Sequence, residues 1–207
     1  GYRWAERMGH TLIPPKPSLV GLQSSAPWIS DLEGLSLRNI GFSLQKDGST
    51  VYEDFGELVF TAAGISGPVV LSGSRHILPY QYKGIEAVID LKPGLDAEKL
   101  DSRLQRDFTR YSRKQIANGL SDLLPRKLIP VVIRRWGLSP EKFINQITKE
   151  ERSLLVNTVK RLTVPITGSE PISRAVVTCG GIKTSEINPK TMESKLVKGL
   201  YFAGEVI

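Results

Sequence analysis

The sequence predicts an α+β fold in which a small β-barrel is interrupted by a helical bundle. Short apolar runs with a period of two, separated by turn signals, fill residues 17–95. The period becomes helical over residues 96–162, and β character returns over residues 163–177. A β region that stops and resumes around a set of helices follows from this order of periods.

The clearest β signal is a hairpin. Residues 35–44 alternate apolar and polar side chains with some slips, and a second run covers residues 50–60. Asp47-Gly48 lies between them, and this dipeptide favours the tight turn that joins two antiparallel strands. Residues 85–91 are predicted to add another strand, which ends at Pro93-Gly94.

One helix is predicted inside the β region, where Gly67-Pro68 precedes the small and apolar residues 69–77. Proline is tolerated in a first helical turn because its missing N–H would have no helical partner there. The glycines of residues 64–68 are equally consistent with a loop-to-helix junction and with a cofactor contact.

The helical segment begins at Asp96, a plausible N-cap. Apolar residues then recur along one helix face at Leu100, Leu104, Phe108 and Tyr111. Prolines divide the rest of this segment into short pieces, so that we expect four or so helices, among them one over residues 143–147 and a last one that begins at Thr148 or Lys149.

Composition indicates an ordinary water-soluble protein of 207 residues. No apolar run approaches the roughly 20 residues of a membrane span, and we expect no membrane partner. The single cysteine, Cys179, is compatible with a reducing cytoplasm, the predicted location. His10, His76 and Cys179 lie too far apart in sequence to predict a metal site.

The net charge of +7 lies in one part of the chain. Residues 96–162 hold 15 Lys/Arg and 8 Asp/Glu, whereas the rest holds 13 of each. A basic surface attracts phosphates and nucleic acid. A solvated helical surface is the favoured interpretation, because the basic residues alternate with acidic ones.

The last 30 residues contain the best candidates for a cofactor site. Gly180-Gly181 follows an apolar strand predicted over residues 174–178, and Gly204-Glu205 follows a second short apolar run. Glycine lets bare backbone approach a ligand closely. A tight turn at the strand exit is the alternative interpretation of the glycine pair. Cys179 is expected to be a small buried residue, and His10 is expected to be structural.

Four stretches together resemble the BaiN-like (YhiN-type) flavoproteins, a family of NAD(P)/FAD-dependent oxidoreductases. They are GYRWAERMGHTLIPPKPSLVGL (1–22), GELVFTAAGISGPVVLSGS (56–74), PISRAVVTCGG (171–181) and GG-x-x-x-x-EINPKTMESKLVKGLYFAGEV (180–206). The glycine-rich turn with which such proteins bind the FAD pyrophosphate is absent from this sequence, as is the stretch that completes the flavin site.

The resemblance implies a translation-factor-like barrel flanked by stubs of an α/β FAD-binding domain. Residues 1–16 and 178–207 would belong to that domain, 17–95 and 163–177 to the barrel, and 96–162 to the inserted helices. Thr178, Gly180, Gly181, Gly204 and Glu205 would contact FAD in the intact parent protein. The residues of 64–68 would face the flavin domain.

We therefore expect an excised middle piece of a flavoprotein oxidoreductase, one that covers the flavin on the substrate side. It is not expected to bind FAD tightly or to be catalytic alone; catalytic residues and the small-molecule electron acceptor remain unassigned. Its main partner would be the rest of its own FAD-binding domain. The alternative is a stand-alone basic barrel and helical module that binds RNA or another polyanion.

Overall fold

The computed structural model describes all 207 residues and divides them into two compact units. One unit combines Gly1–Gly21 with Ser169–Ile207, and the other is Leu22–Gly168. The strands are β1 (Leu12–Ser18), β2 (Leu22–Ser24), β3 (Ser36–Lys46), β4 (Ser49–Thr61), β5 (Gly64–Ser66), β6 (Ile85–Asp90), β7 (Leu162–Ser169) and β8 (Val177–Ile182). The α-helices are α1 (Tyr2–Arg7), α2 (Pro68–Ser74), α3 (Ala97–Arg110), α4 (Ile116–Gly119), α5 (Ile129–Trp136) and α6 (Lys149–Lys160).

The predicted barrel is confirmed. Six strands close in the order β2-β5-β4-β3-β6-β7, with antiparallel pairs throughout the described registers. Inward-facing side chains such as Phe42, Leu44, Phe60 and Ile89 are buried in the barrel interior. Closure leaves this sheet without an open edge, which protects it from pairing with other chains.

The predicted hairpin joins β3 to β4. Asp47 has φ of 48° and Gly48 has φ of 85°, so both turn residues adopt the left-handed conformation that a type I′ turn requires. The predicted helix after Gly67 is also present as α2, and a 3₁₀ segment, Arg75–Tyr80, continues it.

Four helices, α3 to α6, form the insertion between β6 and β7, as predicted. The Asp96 carboxylate caps α3 by accepting a hydrogen bond from the Lys99 amide at 2.8 Å. Leu100 and Leu104 are fully buried in the core that the helices share with the barrel. The insertion is tied to β6 at its base, where the Leu91 amide donates to the Val159 carbonyl at 3.0 Å.

The prediction of a helix over residues 143–147 is wrong. Only a 3₁₀ turn, Ile144–Gln146, is present. The Ile144 amide donates to the Lys114 carbonyl at 3.0 Å, and Phe143 forms an antiparallel bridge with Gln115. The backbone at the start of this segment therefore pairs with another part of the chain, and only a single 3₁₀ turn follows.

The smaller unit is built around a two-stranded ribbon, in which β1 pairs antiparallel with β8. Its own core contains Ala5, Ile182, Ile187 and Phe202. The strand predicted over residues 174–178 begins later, at Val177, because a 3₁₀ turn occupies Ile172–Arg174. The sequence-based domain limits stay a prediction; the larger compact unit of the structure runs from Leu22 to Gly168.

None of the helices has both the length and the hydropathy of a membrane span.

Candidate cofactor-binding segment

The ribbon of the smaller unit positions three of the five predicted cofactor residues, Thr178, Gly180 and Gly181. Thr178 is half-buried opposite Pro17, and Gly181 lies opposite Ile13. The register shifts between Ile13 and Lys16. Consecutive prolines occupy the shift, and prolines cannot donate ladder hydrogen bonds, so they are found at such irregular positions.

Gly180 and Gly181 are required by the chain's own backbone. Their φ angles are 104° and 122°, which side-chain-bearing residues rarely adopt. A Cβ on Gly180 would lie 2.7 Å from the Pro14 carbonyl oxygen, and one on Gly181 would lie 2.7 Å from the Val206 carbonyl oxygen. These contacts within the chain account for both glycines, which lie inside β8 rather than in a turn after it.

Gly204 and Glu205 are held beside Gly181 by two hydrogen bonds. The Tyr2 hydroxyl donates to the Glu205 carbonyl at 2.8 Å, and the Ile182 amide donates to the Val206 carbonyl at 2.8 Å. Gly204 is exposed with φ of 77°, and a Cβ there would meet no atom within 4 Å. Bare, exposed backbone with open space beside it is what a flavin dinucleotide could approach. Contact of FAD with this segment and with the glycine pair stays a prediction.

His10 lies at the centre of a polar network that sequence reasoning missed. Its imidazole is buried, with Nδ1 3.1 Å from Glu186 Oε2 and Nε2 2.8 Å from Ser194 Oγ. The Phe202 ring packs edge-on against it, with ring centroids 4.9 Å apart. The partners follow His10 by 176 and 184 residues, so no local signal could have identified them.

The hydrogen bonds of the network indicate which of its atoms donate and which accept. Hydrogen bonds from the Thr11 hydroxyl and backbone amide lower the pKa of the Glu186 carboxyl, which therefore accepts the Nδ1 proton of His10. Ser194 Oγ accepts amide hydrogen bonds from Leu196 at 3.0 Å and Val197 at 2.8 Å. Both lone pairs of the hydroxyl are then used, so its proton goes to His10 Nε2.

This Ser–His–Glu connectivity has the order of a hydrolase triad but cannot act as one. An attacking serine needs a free lone pair and access to substrate. Ser194 is buried, and both of its lone pairs are directed at amides. The expectation that His10 is structural is therefore supported: the network fastens the segment before Gly204 to α1 and β1.

Cys179 is exposed, so the prediction of a buried cysteine is wrong. The residue lies opposite Lys16 in a ribbon of only two strands. Such a ribbon has one face without a covering layer, and side chains on that face remain in solvent.

The glycines of residues 64–68 have a structural role in the barrel. A Cβ on Gly64 would lie 1.9 Å from the Leu22 carbonyl oxygen, because β2 and β5 approach closely there. Gly67 has φ of 101° and directly precedes α2. These contacts support the loop-to-helix junction; the flavin-facing role implied by the resemblance stays a prediction.

Comparison with known proteins extends over the whole chain. A family model described as HI0933-like protein barrel and H2TH domain matches residues 16–177. The chain is 30% identical over 207 residues to the ribosomal RNA dihydrouridine synthase of Escherichia coli (strain K12). It is 34% identical over 209 residues to the protein of the same name from Haemophilus influenzae.

A third relative has a different named substrate. The 3-dehydro-bile acid delta(4,6)-reductase of Clostridium scindens is 28% identical over 209 residues. Each comparison covers 100% of this chain but only 49%, 49% and 51% of the three relatives. The chain therefore spans about half the length of the curated relatives that it matches.

Proposed function

The chain belongs to the family described as HI0933-like protein barrel and H2TH domain, and on that basis we propose that it is the substrate-side part of a flavin-dependent reductase. The observation that carries the proposal is the similarity of the whole chain to about half of each of three proteins whose names denote a reduced product or a reduction. As a part, the chain is not catalytic by itself.

The two named activities share one chemistry. In uridine, the pyrimidine double bond is conjugated with a ring carbonyl, and a 3-dehydro steroid with a neighbouring double bond has the same arrangement. Reduction of such a bond adds a hydride to the carbon far from the carbonyl and a proton to the carbon next to it. A bound flavin would supply this hydride chemistry, with a nicotinamide as its reductant.

We propose uridine in ribosomal RNA as the substrate. The relatives named for that activity are 30% and 34% identical to the chain, against 28% for the steroid reductase. The net charge of +7 also favours a polyanionic substrate over a bile acid.

Two features of the smaller unit support the remaining proposals, on cofactor and partner. The exposed backbone of Gly204 and Glu205 would contact FAD, as would Thr178, Gly180 and Gly181 on β8. Trp4 and Val176 are 70% and 62% exposed. Large apolar side chains in contact with water favour a covering partner, which we propose to be the rest of the FAD-binding domain.

The test uses the complete product of the natural gene. We expect a bound flavin in its visible spectrum and, with a nicotinamide as reductant, a uridine in ribosomal RNA that gains two hydrogen atoms by mass spectrometry. A complete protein without flavin would refute the proposal, and reduction of a bile acid but not of RNA would refute the substrate.

The isolated 207-residue chain provides a second test. Titration with FAD should show no tight complex, because the pyrophosphate-binding glycine turn is not among these residues. Stoichiometric binding with a dissociation constant of about 1 μM or lower, which corresponds to a binding free energy of roughly −8 kcal/mol, would contradict the proposal that the chain is only part of the flavin site.

A further inference from the structure

Three of the basic residues in the segment 96–162 line one cleft of the inserted helices. Seven of the segment's 15 cations are paired with a carboxylate; the pairs include Lys99–Asp96, Arg103–Asp107, Arg152–Asp101 and Lys160–Asp90. The structure contains no such ion pair for Arg113, Lys114 or Arg126. These three cations line the same cleft, of about 900 Å³.

The lining of this cationic cleft suits a polyanion. No carboxylate is among the lining side chains, and Gln115 and Asn118 contribute amide groups. Ile129 and Ile133, on α5, form an apolar floor. Lys114 Nζ also lies 4.3 Å from the centroid of the Tyr111 ring. Three cations without an ion pair, around a concavity without acidic side chains, attract phosphate groups, since the cleft focuses their field.

An exposed aromatic ring lies beside these cations. Phe143 lines the cleft and is 43% exposed. The antiparallel bridge between Gln115 and Phe143, with the Ile144 amide bonded to the Lys114 carbonyl, fixes the backbone of the ring next to that of the lysine. The failed helix over residues 143–147 is thus replaced by a turn that presents Phe143 to solvent.

We infer that this cationic cleft binds single-stranded RNA, with Arg113, Lys114 and Arg126 on consecutive phosphates and a base stacked on Phe143. Cations that follow a backbone beside a stacking ring are the usual means of binding single strands. The inference rests on the proposed function and deepens it by naming the surface that holds the RNA around the reduced uridine.

Other occupants fit the cleft less well. A small free anion needs donors that converge on one point, whereas these three exposed side chains border a cleft far larger than one phosphate. A lipid surface requires apolar side chains that protrude from a convex face, but the Phe143 ring borders a concave one.

The experiment measures fluorescence anisotropy of a labelled oligouridylate of about 15 nucleotides with the 207-residue chain. The test variant combines Arg113→Ala, Lys114→Ala and Arg126→Ala. The control variant combines Lys83→Ala, Arg106→Ala and Lys149→Ala, three exposed cations that make no ion pair and lie outside the cleft. Both variants lose the same net charge, so that they differ only in where it is lost.

We expect the test variant to bind roughly tenfold to a hundredfold more weakly, and its slope of log affinity against log salt to fall by about 2. The control should stay within about threefold of the wild type, since losing distant charges removes only long-range attraction. Phe143→Ala should weaken binding about 5- to 100-fold with an unchanged salt slope. Circular dichroism would confirm that all variants are folded.

Three results would overturn the inference: no RNA binding at about 50 mM salt, equal losses in both triple variants, or cleft-dependent binding to phosphatidylglycerol vesicles in place of RNA. The proposed function fails separately. If the complete protein reduces no uridine while the chain still binds RNA through the cleft, only the proposed function is refuted. If the complete protein reduces uridine but the test variant binds RNA as tightly as the wild type, only RNA binding by the cleft is refuted.

Discussion

The polar network around His10 makes a sharp prediction about Ser194. Replacement by alanine removes the hydroxyl that bonds His10 Nε2 at 2.8 Å and accepts the Leu196 and Val197 amides. His10 is only 4% exposed, so water cannot readily replace the lost partner. Leu196 is 54% exposed, and its amide can be rehydrated at little cost.

The expected cost follows from these exposures. A buried polar group left without a partner costs about 1–3 kcal/mol, and an ordinary hydrogen bond contributes about 0.5–1.5 kcal/mol. The orphaned His10 nitrogen and the weakened Val197 amide together give about 2–4 kcal/mol. Because about 1.4 kcal/mol corresponds to a factor of ten, local opening should become about 30- to 700-fold more frequent.

Hydrogen exchange followed by mass spectrometry measures this opening directly. Peptides that contain Leu196 and Val197 should exchange faster in Ser194→Ala by the expected factor, and peptides from β3 should be unaffected. Ser185→Ala is the control, because this serine is exposed and its hydroxyl makes no hydrogen bond in the structure. Exchange within about threefold of the wild type in Ser194→Ala would show that the network does not hold the segment.

Three other predictions concern single side chains. The pKa of the Glu186 carboxyl is lowered from 4.5. Its contribution to stability is therefore present above about pH 4.5 and is lost as the pH falls below that value. The difference in free energy of urea unfolding between wild type and Glu186→Gln should shrink as the pH is lowered below about 4.5. Burial and a hydrogen bond to the Asp54 carboxylate raise the pKa of Tyr52 to about 12, so stability falls from about pH 10 upward. A hydrogen bond to Asp122 also raises the pKa of Tyr111, so late-titrating phenolate absorbance should decrease, but not vanish, in Tyr52→Phe. Thr148 forms a capping box at the start of α6; Thr148→Ala should cost about 1 kcal/mol in urea unfolding, against less than about 0.5 kcal/mol for the exposed Thr109→Ala.

Features that depend on neighbouring residues could be predicted from the sequence. The hairpin required only the Asp47-Gly48 pair between two alternating runs, and the start of α3 required only Asp96 before an apolar helix face. In both cases the hydrogen bonds that decide the structure join residues a few positions apart. The order of such local signals was also sufficient to predict a barrel interrupted by helices.

Features decided by distant residues could not be predicted. A proline after Ser139 favours a helix start, but the Ile144 amide pairs with the Lys114 carbonyl and only a 3₁₀ turn follows. The cationic cleft depends on that same long-range pairing, since it brings Phe143 beside Lys114. The sequence showed an excess of charge over 67 residues, but only the ion pairs reveal which cations are unmatched.

Glycine is the residue type whose role the sequence leaves most ambiguous, because a positive φ and a close ligand both require it. Gly204 and Gly199 offer a matched comparison, with φ of 77° and 82° and no atom within 4 Å of an added Cβ. Alanine at either position should cost about 1–2 kcal/mol of backbone strain. In the complete protein, Gly204→Ala should lower flavin occupancy well below that of Gly199→Ala at equal protein stability. Equal flavin occupancy in the two variants would mean that Gly204 serves only the chain's turn, and that the proposed cofactor contact lies elsewhere.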